Sequence, residues 1–271
     1  TSCVNTFFSN SSVAFSIGKH AYTWATVISG LAVTVLAALV IVGGLKRISK
    51  VAEVIVPFMA VLYVVFAVLL LAFNVTKIPA AVVEVVRGAF NPAAVTGGAV
   101  GTIFLAMQKG IARGIFSNES GLGSAPIAAA AAQTKDPVRQ GLVSMLGTFI
   151  DTIIICSMTG LAVVITGAWK VVEVEQGAPT TVYAFQNGLP FPPAVSSFVL
   201  MVCLAFFAFT TILGWNYYSE KCLQYLIGGK NQTVLTIYRL VYILAILIGP
   251  YLTVAAVWNI ADIFNGLMAF P

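Results

Sequence analysis

One stretch of this chain concentrates side chains able to do chemistry. From Gly114 to Pro126 it reads Gly-Ile-Phe-Ser-Asn-Glu-Ser-Gly-Leu-Gly-Ser-Ala-Pro, with apolar runs on both sides. Ser117, Asn118, Glu119 and Ser120 bring two hydroxyls, an amide and a carboxylate into four residues. Such groups bind and orient; they do not readily form covalent intermediates. His20 is the only histidine, so neither a Ser–His or Cys–His pair at membrane depth nor a multi-histidine metal site is expected. Gly121-x-Gly123 is no phosphate loop, because no strand precedes it and the G-x-x-x-x-G-K-[ST] pattern is missing. Outside this run stand Thr210, Thr211 and Trp215, the pair Lys109 and Arg113, and the acids Asp151 and Asp262.

The elements that carry these residues are set by composition. The 271 residues are 59% hydrophobic and 8% charged, where a soluble domain carries roughly 25% charged residues. That excludes a disordered chain, a disulfide-stapled module and an ordinary soluble enzyme. A net charge of +5 built from 14 Lys and Arg is too sparse for a phosphate-binding stripe, so no nucleic-acid partner is expected. The four cysteines show no C-x-x-C and are read as inert thiols packed among helices. The fold class is therefore an all-α polytopic membrane protein, with the lipid bilayer as its surroundings.

A bilayer core of about 30 Å needs about 20 apolar residues per helix. Seven segments qualify, near 23–44, 54–74, 96–133, 141–167, 194–219, 233–249 and 252–271, here A to G. Residues 1–22 read as an outer stretch and 23–271 as one transmembrane domain. Loops A–B, C–D and E–F carry Lys46, Arg47, Lys50, Lys135, Arg139, Lys221, Lys230 and Arg239; the opposite side has Lys19, Lys77, Arg87 and Lys170. That bias places the first set in the cytoplasm. Between B and C, Ile78, Val82, Val85, Val86 and Ala89 recur at helical spacing, which predicts a short helix on the outer membrane surface. The N-x-S/T matches at Asn10, Asn74, Asn118 and Asn231 are read as accidental. The chain opens on Thr1 with no signal peptide and looks like part of a longer protein.

Segment C is anomalous. As one helix it would span about 57 Å, nearly twice the membrane. Its middle holds Ser, Asn, Gly and Pro, all poor inside helices, and an acid that costs ~2.5–3.5 kcal/mol at a helix centre. Two half-helices joined by an extended stretch, Phe116 to Gly123, are expected, the second starting near Ser124 with Pro126 in its first turn. Irregular backbone at membrane depth survives only where protein or a wet cavity satisfies it, and broken helices build the sites of secondary transporters. The rival reading is a kinked, tightly packed helix, which explains the pairs Gly97/Gly101 and Gly110/Gly114 but not the polar cluster. On this reading the helix end at Ser124 faces a carboxylate and the carbonyls closing the first half-helix face a cation. The function expected is a cation-driven symporter of a small zwitterion; proton coupling on the same fold and a cation channel are the alternatives.

The run Gly110-Ile-Ala-Arg-Gly-Ile-Phe-Ser-Asn-Glu-Ser-Gly-Leu-Gly-Ser-Ala-Pro-Ile-Ala closely resembles the most distinctive block of the alanine/glycine:cation symporter family, the sodium:alanine symporters. So do Gly43-Gly-Leu-Lys-Arg-Ile-Ser-Lys-Val-Ala-Glu, Asp136-Pro-Val-Arg-Gln-Gly-Leu-Val, Phe209-Thr-Thr-Ile-Leu-Gly-Trp and Val257-Trp-Asn-Ile-Ala-Asp-Ile-Phe-Asn-Gly-Leu-Met-Ala. The resemblance covers nearly the whole chain from about Trp24. It implies a partial leucine-transporter-type inverted-repeat fold in which segments A to G are helices four to ten, without the first, equally broken helix. It implies alternating-access symport of a small neutral amino acid, alanine or glycine, with sodium as the coupling ion, no other cofactor and no enzyme activity, in a multi-pass protein of the cell membrane.

The resemblance also assigns residues. Phe116, Ser117, Asn118 and Glu119 match the unwound substrate-contacting stretch, and Thr211 and Trp215, one helical turn apart, match pocket-lining positions. An indole opposite Phe116 would leave room for a methyl or a hydrogen. Each residue keeps a second reading: helix packing for Phe116, an ion pair with Arg113 or a helix-end hydrogen bond for Glu119, an interfacial anchor for Trp215. Thr210 is the sodium candidate by fold analogy, set against a hydroxyl bonded to its own helix. Lys109 and Arg113 line an outer vestibule, or else snorkel or pair with acids elsewhere. Asp151, ten residues into segment D, is a proton relay or a structural partner, and spacing does not choose between them.

Overall fold

The computed structural model describes residue 4 and residues 12–17, 20–90, 99–171, 177–229 and 231–268. Cys3, Asn10, Lys19, Gly97, Lys230 and residues beyond 268 lie outside this set, as does the side chain of Lys109. Strands β1 (Val13–Ile17) and β2 (His20–Thr23) form an antiparallel hairpin that the sequence reading did not contain. The Tyr22 hydroxyl ties the hairpin to the Tyr251 carbonyl at 2.8 Å. Thr23 then caps α1 (Trp24–Val42), its hydroxyl accepting from the Thr26 N–H at 3.3 Å.

Gly44 reverses the chain at φ +67°, and α2 (Gly44–Phe73) begins at once. It starts ten residues before expected segment B. Lys46, Arg47 and Lys50 lie on its first turns instead of a loop, and Arg47 donates to the Leu39 carbonyl at 2.8 Å, satisfying the end of α1. After a 3₁₀ turn comes α3 (Ile78–Phe90), the expected short amphipathic helix, joined to the fold by Glu84–Lys170 at 3.0 Å. Segment C is α4 (Ala99–Phe116), α5 (Glu119–Leu122) and α6 (Ala125–Ala129). Segment D is α7 (Pro137–Phe149), a π-helical stretch Ile150–Cys156, and α8 (Ser157–Thr166). Then follow α9 (Ala168–Val171), α10 (Ala178–Gly188), α11 (Pro193–Leu226), α12 (Gln232–Ile248) and α13 (Val254–Leu267).

Among the described residues five helical stretches are long and apolar enough to cross a membrane: Trp24–Val42, Gly44–Phe73, Pro137–Thr166, Pro193–Leu226 and Gln232–Tyr251. The other two expected spans are the broken segment C and the shorter Val254–Leu267. The chain is a multi-pass helical membrane protein. Large apolar side chains stand on its outside, Ile28, Val42, Phe58 and Leu240 among them, as lipid-facing helices require. Helix α11 is the hub, packed against α1, α2, α10 and α12. One core joins Tyr63, Ala67 and Leu70 of α2 to Phe185, Leu200 and Cys203; a second joins Ala37, Ile41, Ile48 and Leu213. Small residues in both let helices approach closely. Of the described cysteines only Cys203 is buried.

Two joints hold the frame around the broken segment. Buried Asn74 donates to the carbonyls of Leu70 (2.9 Å) and Gly188 (2.7 Å) and accepts from Lys77 (3.0 Å), which rules out its N-x-T match as a sugar site. In the break the chain folds back so tightly that a Cβ on Gly121 would lie 2.3 Å from the Ile115 carbonyl oxygen. Asn74→Ala takes the side-chain donor from the Gly188 carbonyl, while Leu70 keeps the backbone N–H of residue 74, and is expected to cost ~1–3 kcal/mol; Gly121→Ala, by overpacking, ~1–3 kcal/mol. Thermal unfolding of the whole protein in detergent checks both, as a Tm at least ~2 °C below wild type.

Candidate functional site

Helix α4 stops at Phe116, where the expected break begins. Asn118 is extended (φ −150°, ψ 171°), and its Oδ1 accepts from the N–H groups of Ser120 (3.0 Å) and Gly121 (3.2 Å), so it caps α5. One turn later Gly123 takes φ +72°, and the Ser124 N–H closes on the Glu119 carbonyl at 3.0 Å. Pro126 lies in the first turn of α6 as expected. The second half-helix is far shorter than the run Ser124–Thr134: it ends at Ala129 in turns. Alanine favours helix, but so short a segment with few packing partners is marginal by itself. Five residues also carry little macrodipole, so the break offers side chains and bent backbone more than a helix-end field.

The side chains of the break face segment D. Ser117 Oγ donates to Asp151 Oδ2 at 2.6 Å. Asn118 Nδ2 donates to the same oxygen at 3.4 Å and to Thr152 Oγ1 at 3.3 Å. Ser120 Oγ lies 2.7 Å from Thr148 Oγ1. The polar cluster therefore has a partner surface, made by α7 and the π-helical stretch. Both ends of the Asn118 amide are engaged, so its orientation is fixed by its neighbours.

The remaining expected residues divide. Glu119 does not pair with Arg113; its Oε1 accepts from the Tyr218 hydroxyl of α11 at 3.5 Å. Trp215 meets Tyr218 edge-to-face with centroids 5.6 Å apart, so it reaches the break through that tyrosine. Phe116 packs edge-on against Trp258, at 5.9 Å. Among the described residues no ring contact joins Phe116 to Trp215. Thr211 donates to the Phe207 carbonyl at 2.7 Å, and Thr210 to Phe206 at 2.9 Å, the ordinary hydroxyl-to-helix bonds. Thr210 also lies 3.8 Å from the Met59 sulfur.

Arg113, Asp262 and Trp258 form a clamp that spacing did not reveal. The guanidinium donates to Asp262 Oδ1 at 3.2 Å and stacks 3.5 Å from the Trp258 ring centroid. The available signal was an Arg and an Asp at membrane depth, since charges in a membrane seek each other. Beside the clamp and the break lies an open groove of about 590 Å³, lined by Gln108, Ile115, Gly121, Asp262 and Asn265 among others. Broken backbone, a hollow and converging polar groups are what a small-ligand site in a membrane requires.

Known proteins carry similar sequences. A 54% identical relative over 245 residues is an uncharacterized transporter of Haemophilus influenzae, matched over 90% of this chain and 52% of that protein. The sodium/alanine symporter AgcS of Methanococcus maripaludis is 44% identical over 246 residues, 90% of this chain and 52% of its own. The amino-acid carrier protein AlsT of Bacillus subtilis is 34% identical over 243 residues, 90% and 50%. The chain thus spans about half the length of the curated relatives it matches. The family model for the sodium:alanine symporters matches residues 2–271, and the chain belongs to that family of transporters.

Proposed function

We propose that the whole protein is a secondary active transporter of the cell membrane, which couples a sodium gradient to uptake of a small neutral amino acid, alanine or glycine, by alternating access. The observation that carries this reading is the break at Phe116–Gly123, held against α7, the π-helical stretch and α11 by side chains rather than by helical ladder bonds. A packed kink needs no such cluster. The names of the relatives AgcS and AlsT support amino-acid symport, and the former supports sodium and alanine. In this reading segments A to G are helices four to ten of a leucine-transporter-type inverted repeat, with segments C and G also crossing.

The roles proposed are those that the family resemblance implies, and the contacts around the break support them. Bent backbone at Ser117–Glu119 receives the zwitterion, and Asn118, locked by its cap and by Asp151, keeps that backbone in shape. Phe116 on its Trp258 support and Trp215 on its Tyr218 support wall a space for a short side chain. Thr211 extends the wall, and Thr210 keeps lone pairs for a sodium ion while its proton stays on the helix. Release of the Arg113–Asp262 clamp would open the outer side.

In proteoliposomes of the whole protein, an inward sodium gradient is expected to drive alanine uptake above the level without a gradient; uptake indifferent to every monovalent cation gradient would overturn coupling. Asn118→Ala is expected to weaken alanine affinity about tenfold, since a cap and a hydrogen bond to a charge together contribute ~1–2 kcal/mol; the half-saturation for alanine reads it. Trp215→Ala is expected to admit larger neutral side chains as competitors for alanine uptake, and an unchanged competition profile would remove Trp215 from the wall.

A further inference from the structure

Between α3 and the α8–α9 corner lies a second open groove, of about 690 Å³, lined by Val83, Glu84, Arg87, Gly88, Val164 and Trp169 among others. Its two ends differ in chemistry. Val164 stands near the end of the apolar span Pro137–Thr166, so one end reaches hydrocarbon depth. Gly167 then closes α8 at φ +67°, and Trp169 and Lys170 follow on α9. Trp169 is exposed, as indoles at a membrane–water boundary are. Lys170 Nζ stands 4.8 Å from the Trp169 ring centroid and 3.0 Å from Glu84 Oε1. Arg87 follows Glu84 by one helical turn, on the same side of α3, and is exposed. The ion pairs among the described residues use Arg113, Lys170 and Arg239, so no acid there neutralises Arg87.

We propose that this groove binds one anionic glycerophospholipid, its phosphate held by Arg87 and Lys170 and its acyl chains laid along Val83 and Val164 into the bilayer. Two cations against the Glu84 carboxylate leave one positive charge, and a phosphodiester carries one negative charge. The arginine fork suits two phosphate oxygens at once, and Lys170 meets the same anion as a point charge. A choline headgroup would bring its own cation into this cluster. A soluble anion would use the cations and leave the apolar wall idle; a lipid uses both. The proposal does not rest on the symport reading.

Topology does not account for these basic residues. They lie on the side with fewer of them, Lys19, Lys77, Arg87 and Lys170, against eight on the other. Lys77 serves Asn74, which leaves Arg87 and Lys170 to converge on one groove. On α3, Val82, Val83 and Val86 are exposed, the face that an interfacial helix turns to acyl chains. A lipid here joins α3 to the α8–α9 corner more firmly than the exposed Glu84–Lys170 pair does alone, since such pairs contribute little in water.

The test uses the whole protein, freed of lipid in a nonionic detergent, and its Arg87→Gln, Arg87→Gln/Lys170→Gln and Lys50→Gln variants. Thermal unfolding is followed as dioleoylphosphatidylglycerol or dioleoylphosphatidylcholine is added. Phosphatidylglycerol is expected to raise the wild-type Tm saturably, and phosphatidylcholine to do so far less. The half-saturating phosphatidylglycerol is expected to rise roughly tenfold in Arg87→Gln, which loses a hydrogen bond to a charge, and further in the double variant. Lys50→Gln, on α2, is expected to keep the wild-type value. Inorganic phosphate and glycerophosphoglycerol, which lack acyl chains, are expected to leave Tm unchanged; if either matches the lipid, the site binds a free anion and the lipid proposal falls. Equal stabilisation by both lipids, none by phosphatidylglycerol, or an equal loss in Lys50→Gln overturns it as well. If the double variant does not fold, a wild-type half-saturation in Arg87→Gln overturns the proposal.

Discussion

A peptide group in hydrocarbon with no partner costs several kcal/mol, and every unusual feature here follows from that constraint. Five stretches meet it in the ordinary way, with helical ladders and lipid-facing apolar side chains. Segment C does not. Its helix ends at Phe116, so the groups released there must be satisfied locally. Asn118 and the Gly123 turn do this within a few residues. Asp151, Thr152, Thr148 and Tyr218 hold the polar side chains of the break from neighbouring elements.

This division gives the molecule a rigid part and an adjustable part. The rigid part is α11 with α1, α2, α8 and α10, whose contacts are close-packed and include small residues that admit near approach. The adjustable part is the break with α6 and α13, held by hydrogen bonds and by a partly exposed Arg–Asp pair of modest strength. Polar bonds of this kind exchange for bonds to a ligand at small net cost. Packed apolar surface has no such alternative partner. A symporter needs both: a frame that does not yield, and a break whose bonds a substrate and an ion can replace.

The break was readable because its signals are local. Poor helix formers cluster at 117–123, and the capping amide and the positive-φ glycine sit inside the same few residues. Five of the spans were readable because length and hydropathy alone decide them. What was hidden lies between elements. Ser117 meets an acid 34 residues away and Arg113 one 149 residues away, and no periodicity encodes either meeting. Phe116 is backed by Trp258, a partner that no spacing announces, since several indoles occupy apolar helices and only packing selects one. Basic residues at 46–50 looked like a loop and proved helical, because a helix can run past the membrane face and carry its charges into water.

The most direct test is amide hydrogen exchange over Phe116–Ala129 in the whole protein, with and without alanine, in sodium and in choline. Bonds in this stretch are few and open easily, so bound ligand should slow their exchange. Slower exchange across the break with alanine and sodium together, and little change in α10 or in the buried turns of α2, is the result expected. Exchange in the break that is the same in all four conditions would contradict the view that ligand and ion meet there.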